Sequence, residues 1–156
     1  MENRETVPAI DLTDNSDLAK RNLRYFWLWR RLGDALILLV VYLSLTPSDF
    51  DIPVGFDGDD KLGHALAYAT LTTWFGWLTT ARPRQLRCAG LFVLLGLTLE
   101  TLQRFTGYRH WDLWDIAANT AGVLIGLGLV CSRLPNGLVF VERCQSQVRR
   151  WLGQAD

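Results

Sequence analysis

Ten polar side chains in this chain of 156 residues lie inside or beside apolar stretches, where ionisable groups are costly unless they pair with one another. They include a histidine, carboxylates, a lysine and an arginine, which suffice for proton transfer or for binding an anionic group. The earlier group is Asp60, Lys61, His64 and Tyr68, and the later group is Glu100, Gln103, Arg109, Asp112, Asp115 and Asn119. Such residues in apolar surroundings predict a functional site.

The earlier group has helical spacing, because Asp60, His64 and Tyr68 stand four residues apart and share one face over two turns. A carboxylate at Asp60 is favoured by the dipole at a helix start. His64 exchanges a proton near neutral pH without needing a large pKa shift. A lone membrane histidine usually has a structural hydrogen-bonding role, but the polar neighbours of His64 favour an acid–base role.

The later group belongs to two helical stretches. Glu100 and Gln103 share a face at the end of the first of them, and Arg104 lies one turn beyond Glu100 as a potential partner. In the second, polar residues at the start and small residues further in recur at three- and four-residue spacing: Asp112, Asp115, Asn119, Gly122 and Gly126. The glycines predict the close approach of a neighbouring helix, and Asn119 can hydrogen-bond across that contact.

Four apolar stretches position these residues, at 32–46, 62–80, 86–103 and 111–133. Each is near the roughly 17–25 residues that a membrane-spanning helix needs. The first is short and reaches full length only by including the aromatic run at 25–29. So few charged residues interrupt the stretches that a water-soluble helical bundle would lack a polar face, which makes it the weaker alternative. The prediction is an all-α bundle of four transmembrane helices.

The charges are sorted along the chain although the net charge is zero. Lysines and arginines precede the first stretch, separate the second from the third and follow the fourth, which predicts that these segments are cytoplasmic. The connection between the first two stretches is rich in aspartate, as a translocated loop can be. The third connection carries Arg104 and Arg109 and is less clear, but an even number of spans places it outside. Both polar groups are therefore expected at the outer face.

Three segments are expected: a polar N-terminal segment (1–19), the membrane domain (20–134) and a basic amphipathic cytoplasmic tail (135–156). Interfacial helices are expected at either end, and the tail either lies on the inner leaflet or is a loosely ordered basic end. Three cysteines without a CxxC spacing predict free thiols.

These motifs resemble the VanZ-like membrane proteins, whose pattern is Asp-Lys-x-x-His-x-x-x-Tyr, a later Glu-x-x-Gln, and an Arg ahead of Asp-x-x-x-Asn-x-x-Gly. This chain matches at Asp60 to Tyr68, at Glu100 and Gln103, at Arg109, and from Asp115 through Asn119 to Gly122. The resemblance implies a multi-pass protein of the bacterial cytoplasmic membrane, with a namesake linked to low-level resistance to teicoplanin-type lipoglycopeptides. The segment between Arg109 and Asp115 is bulkier and more acidic than the family pattern.

These residues are compatible with three functions. In a binding or envelope-protection module, Arg109 and Lys61 meet the phosphate of a lipid headgroup or amphiphile, while Trp111 and Trp114 cover its apolar part. The partners expected for such a module are membrane lipids, a lipid-linked envelope precursor or a lipoglycopeptide. In an envelope enzyme, His64, Glu100 and Asp115 are the catalytic residues. In the third, the charged residues merely clip the helices together. The ligand-binding residues are predicted to be Asp60, Lys61, Tyr68, Gln103, Arg109 and Asn119.

No nucleic-acid partner and no cofactor are expected, and whether the protein is an enzyme stays open. An activated nucleophile in a recognisable setting is absent from the sequence. A metal site built from His64, Glu100 and Asp115 has weak support, because three ligands scattered along the sequence include no close-spaced pair. No metal is therefore predicted.

Overall fold

A computed structural model describes residues 23–46, 59–106, 112–132 and 134–153. Within these ranges the chain forms five α-helices and no strand. They are α1 (Phe26–Leu45), α2 (Asp59–Trp77), α3 (Arg82–Thr106), α4 (Leu113–Cys131) and α5 (Gly137–Leu152). Arg109 and Trp111 lie outside the described residues, and at Asp60 only the backbone, in the first turn of α2, is described.

The first four helices coincide with the four apolar stretches. Helix α1 includes most of the aromatic run that precedes the first stretch, which gives it 20 residues. Helices α3 and α4 are long and apolar enough to cross a membrane, and most residues in their apolar windows are not buried inside the protein. The all-helical class is therefore confirmed, together with two helices that can span a bilayer.

Local sequence explains where the helices begin. Pro83 occupies the first turn of α3, where its missing N–H costs nothing. The side chain of Asp112 accepts a hydrogen bond from the Trp114 N–H and caps α4. Asn136 caps α5 in the same way, accepting from the N–H groups of Leu138 and Val139.

The tightest packing in the described residues joins α2 to α4. A Cβ atom on Gly122 would overlap the carbonyl oxygen of Ala65, and one on Gly126 would lie 2.6 Å from that of Ala69. Because positions four residues apart on α2 face positions four residues apart on α4, the two helices run parallel. The close approach expected from the glycines is confirmed.

Helix α5 is attached to the opposite end of the bundle from the polar groups. Glu142 accepts hydrogen bonds from the backbone N–H groups of Arg24 (2.7 Å) and Tyr25 (2.9 Å) and from the Trp29 indole (2.8 Å). Leu138 is buried in the core, whereas Val148 and Trp151 are exposed. The tail is therefore an ordered amphipathic helix, and its location on a membrane stays a prediction.

Each of α1 to α4 exposes large apolar side chains. The most exposed include Leu38 and Leu43 on α1, Leu62 and Leu66 on α2, Leu91 and Leu94 on α3, and Leu124 and Ile125 on α4. Contiguous exposed apolar surface marks a contact with lipid or with another apolar surface. The three cysteines, Cys88, Cys131 and Cys144, are free, as expected.

Candidate functional site

Three ionisable side chains from three helices meet at one end of the bundle. His64 on α2, Glu100 on α3 and Asp115 on α4 each offer a nitrogen or oxygen atom, and these atoms lie within 4.8 Å of one another. Glu100 is 1% exposed and Asp115 is 7% exposed. Helical spacing predicted the face on which each residue lies, and the structure places all three side chains in one cluster.

Lys61 links Asp115, a member of this triad, to a second acidic residue, Asp112. Its ammonium nitrogen lies 3.1 Å from Oδ2 of Asp112 and 3.7 Å from Oδ1 of Asp115. The N–H of Trp114 and the Lys61 ammonium together hold the pKa of Asp112 below its usual value. The carboxylate of Asp112 therefore caps α4 and also holds Lys61 next to the triad.

Gln103 connects the end of α3 to the end of α1. It is buried, and its amide nitrogen donates a hydrogen bond of 2.6 Å to the carbonyl oxygen of Ser44. This bond fixes the last turns of α3, which carry Glu100. Arg104, one turn beyond Glu100, is exposed.

A second polar layer lies one helical turn further into the bundle. Tyr68 is four residues after His64, Asn119 is four residues after Asp115, and Gly96 is four residues before Glu100. A Cβ atom on Gly96 would lie 3.2 Å from Asn119 and 3.3 Å from the Tyr68 ring, so both side chains reach the surface of α3 at this glycine. Tyr68 and Asn119 are both buried.

Two polar atoms of this layer stand out within the described part of the chain. The Tyr68 hydroxyl and the Asn119 side-chain oxygen have no hydrogen-bond partner among the described residues. Buried polar atoms in native structures are normally hydrogen-bonded, and exceptions require an explanation. An ordered water or a ligand bound beside these atoms would provide one.

Most of the site residues expected from the sequence thus lie together. Lys61, His64, Tyr68, Glu100, Gln103, Asp115 and Asn119 all lie at the same end of the bundle. Sequence reasoning missed two contributors. Gly96 could have been found from its four-residue spacing to Glu100, whereas the Ser44 carbonyl, a backbone group on another helix, had no signal.

The chemistry available here combines a proton-exchanging imidazole, two buried carboxylates and an ammonium group. Two carboxylates in such proximity repel each other when both are ionised, and a shared proton or a nearby cation relieves this repulsion. The pocket can therefore share a proton, hold a cation, or use Lys61 to attract an anionic group.

Comparison with known proteins gives the pocket a family context. The model of the VanZ/LLP1 family matches residues 11–134, a range that contains every residue of the triad and of the layer beneath it. An uncharacterized protein of Schizosaccharomyces pombe is 34% identical over 95 residues, which cover 59% of this chain and 56% of the yeast protein. The match thus spans little more than half of that relative. No solved structure matches the chain. Since the family match extends over most of the sequence and confirms the resemblance of its motifs, the chain belongs to the VanZ/LLP1 family.

Proposed function

We propose that this chain is a multi-pass protein of the bacterial cytoplasmic membrane that crosses the bilayer four times, with both termini in the cytoplasm. The lengths of α3 and α4 and the exposed leucines of α1 and α2 support this arrangement. The sorting of basic residues to one end supports the orientation. In this orientation the pocket of His64, Glu100 and Asp115 lies near the outer face.

The proposed role is to bind the headgroup of a membrane lipid or envelope amphiphile and so protect the envelope, including tolerance of teicoplanin-type lipoglycopeptides. The observation that carries this role is the cluster of buried polar side chains directly beside exposed apolar surface, with the half-exposed Lys61 next to Asp115 and with Leu62 and Trp114 exposed nearby. An amphiphile fits such a boundary, because its headgroup can contact the polar cluster while its tails stay in lipid.

Substitution of Arg109 tests the binding role. Expression of the wild-type chain in a bacterial host without a family member should raise the inhibitory concentration of teicoplanin. Arg109→Ala should return it to the vector level at unchanged protein level, because the arginine supplies a bidentate contact to phosphate. Arg150→Ala, an exposed arginine on α5 at the other end, is the matched control and should keep full tolerance. Full tolerance with Arg109→Ala contradicts the role.

A membrane-embedded acid–base enzyme is the second candidate, and the triad is the observation that favours it. His64 would give or take a proton on the headgroup or on an attacking water, while Glu100 or Asp115 orients the imidazole. Lys61 or Arg109 would stabilise the developing negative charge. General acid–base groups of this kind contribute about 10²–10⁴-fold to a rate.

The two candidates differ in whether the headgroup changes. Proteoliposomes containing the wild-type chain or His64→Gln can be incubated with bacterial membrane lipid extract and analysed by mass spectrometry. A new headgroup species that forms only with the wild-type chain supports the enzyme. Retention of an unchanged lipid by the purified protein, with identical extracts from both samples, supports the binding role.

A further inference from the structure

We propose that His64, Glu100 and Asp115 bind one divalent transition-metal ion, such as Zn²⁺ or Mn²⁺. One nitrogen and two oxygen atoms, contributed by three different helices, already lie within 4.8 Å of one another. Ligand atoms on a tetrahedral ion with bonds of about 2.0–2.2 Å are roughly 3.3–3.6 Å apart, so closure on the ion requires movements of about 1 Å. Side-chain rotations of α2, α3 and α4 residues suffice for this.

The three residues are far apart in the sequence, but the packing of their helices brings them together. Helices α2 and α4 run in parallel through the contact of Ala65 with Gly122, and α3 packs against both. The three ligands therefore have fixed backbones, as a metal site requires.

The electrostatics favour a cation at this point. Glu100 and Asp115 bring two carboxylates into a buried pocket, where two negative charges repel strongly. Lys61 supplies one ammonium, which is 43% exposed and is shared between Asp112 and Asp115. A divalent cation between the two carboxylates would reduce this repulsion.

The layer beneath the triad is an independent indication of a bound group. Asn119 is 3% exposed, and its side-chain oxygen has no hydrogen-bond partner among the described residues. The buried Tyr68 hydroxyl likewise has no hydrogen-bond partner among the described residues. Both lie one turn from a ligand, against Gly96, where they can contact the ion itself or a water bound to it.

The mixed donor set decides the class of ion. Mg²⁺ and Ca²⁺ prefer ligand sets composed of oxygen atoms, whereas an imidazole nitrogen favours a transition metal such as Zn²⁺, and the two carboxylates also suit Mn²⁺. Three protein ligands leave at least one coordination position for water or for a headgroup oxygen. The metal site goes beyond the proposed function, because the geometry that supports it is the same whether the protein binds a headgroup or transforms it.

Metal analysis of the full chain tests the proposal. The wild-type protein, purified in mild detergent and dialysed against micromolar Zn²⁺ or Mn²⁺ with excess Mg²⁺, should retain about one transition-metal ion per chain by mass spectrometry. Glu100→Gln and His64→Gln should weaken the Kd by more than about 100-fold, because loss of an outer-shell partner alone costs 10–100-fold. Asp34→Asn removes an exposed carboxylate that pairs with Arg30 on α1 and should retain the full stoichiometry.

A spectroscopic measurement on the wild-type chain keeps the test decisive if a variant fails to fold. Co²⁺ bound by imidazole and carboxylates in a four- or five-coordinate site should show intense visible d–d bands, which Zn²⁺ should displace. A wild-type protein without these bands, or one that holds no more metal than folded Glu100→Gln, overturns the proposal. Such a result would leave the Arg109 tolerance test unaffected.

Discussion

The hydroxyl of Tyr68 and the amide oxygen of Asn119 are costly features that the fold alone does not need. Each is buried without a hydrogen-bond partner among the described residues, at a typical cost of about 1–3 kcal/mol. Phe and Leu side chains of similar size would pack in the same space without this cost. Both residues lie against Gly96 beneath the triad, where a bound water or ligand would satisfy them.

Tyr68→Phe separates stability from function at this position. Removal of an unsatisfied buried hydroxyl should leave the free energy of unfolding unchanged or raise it by up to about 1–3 kcal/mol. The apparent Tm in detergent should therefore stay the same or increase. Teicoplanin tolerance should fall at the same time. Tyr42→Phe, on the exposed face of α1, is the control and should change neither quantity. A large loss of stability in Tyr68→Phe would show that the hydroxyl is structural.

The sequence predicted which face each site residue occupies, but it could not predict how the helices rotate relative to one another. Four-residue spacing joined His64 to Tyr68 and Asp115 to Asn119, and both pairs hold in the structure. That His64 lies within reach of Glu100 depends on how α2, α3 and α4 pack. The role of Ser44 was not predictable, because Gln103 bonds to its backbone carbonyl and not to its side chain.

At the scale of elements, the pair of α2 and α4 determines the geometry of the pocket. Ala65 and Ala69 on one helix face Gly122 and Gly126 on the other, and the backbones touch. Small residues at this spacing permit close helix contact in membranes, where van der Waals packing rather than the hydrophobic effect drives association. Parallel packing brings His64 and Asp115, each near the start of its helix, to the same end.

Alanine substitutions of glycines in α4 test this contact. Gly122→Ala would place a methyl group on the Ala65 carbonyl oxygen and force the helices apart, so it should lower the free energy of unfolding by at least about 1–3 kcal/mol and weaken the site. Gly128→Ala, on the same helix, meets nothing within 4 Å. It should be neutral or stabilising by up to about 1 kcal/mol, because alanine favours the helix. Equal stability of the two variants would contradict the tight contact.

The helices themselves were largely predictable from the apolar stretches, and the differences at their ends have physical causes. Helix α1 begins at Phe26, ahead of the apolar stretch at 32–46, because the aromatic run at 25–29 continues the helix toward the N-terminus. Helix α3 extends beyond the apolar stretch to Thr106, since no proline or glycine lies between Gln103 and Gly107. The choice between an ordered and a loose tail could not be made from the sequence, because the contact of Glu142 with the start of α1 is long-range.

The whole molecule has two chemically different ends. At one end, Lys61 and the triad of His64, Glu100 and Asp115 form a polar cluster. At the other end, Glu142 ties α5 to the start of α1, and Asn136 donates a hydrogen bond of 2.8 Å to the Trp77 carbonyl. The basic residues of α5 and those in the first turns of α3, Arg82, Arg84 and Arg87, lie at this second end. The proposed orientation follows from this asymmetry, because basic segments are retained in the cytoplasm.

Compartment labelling of single cysteines tests this orientation most directly. In a chain whose Cys88, Cys131 and Cys144 are replaced by serine, one new cysteine is placed after Thr46, after Thr80 or after Gln103, and intact cells are treated with a membrane-impermeant thiol reagent. The first and third positions should be labelled, whereas the second should be labelled only after the cells are permeabilised. Labelling of the second position in intact cells, or protection of either of the other two, would contradict a polar pocket at the outer membrane face.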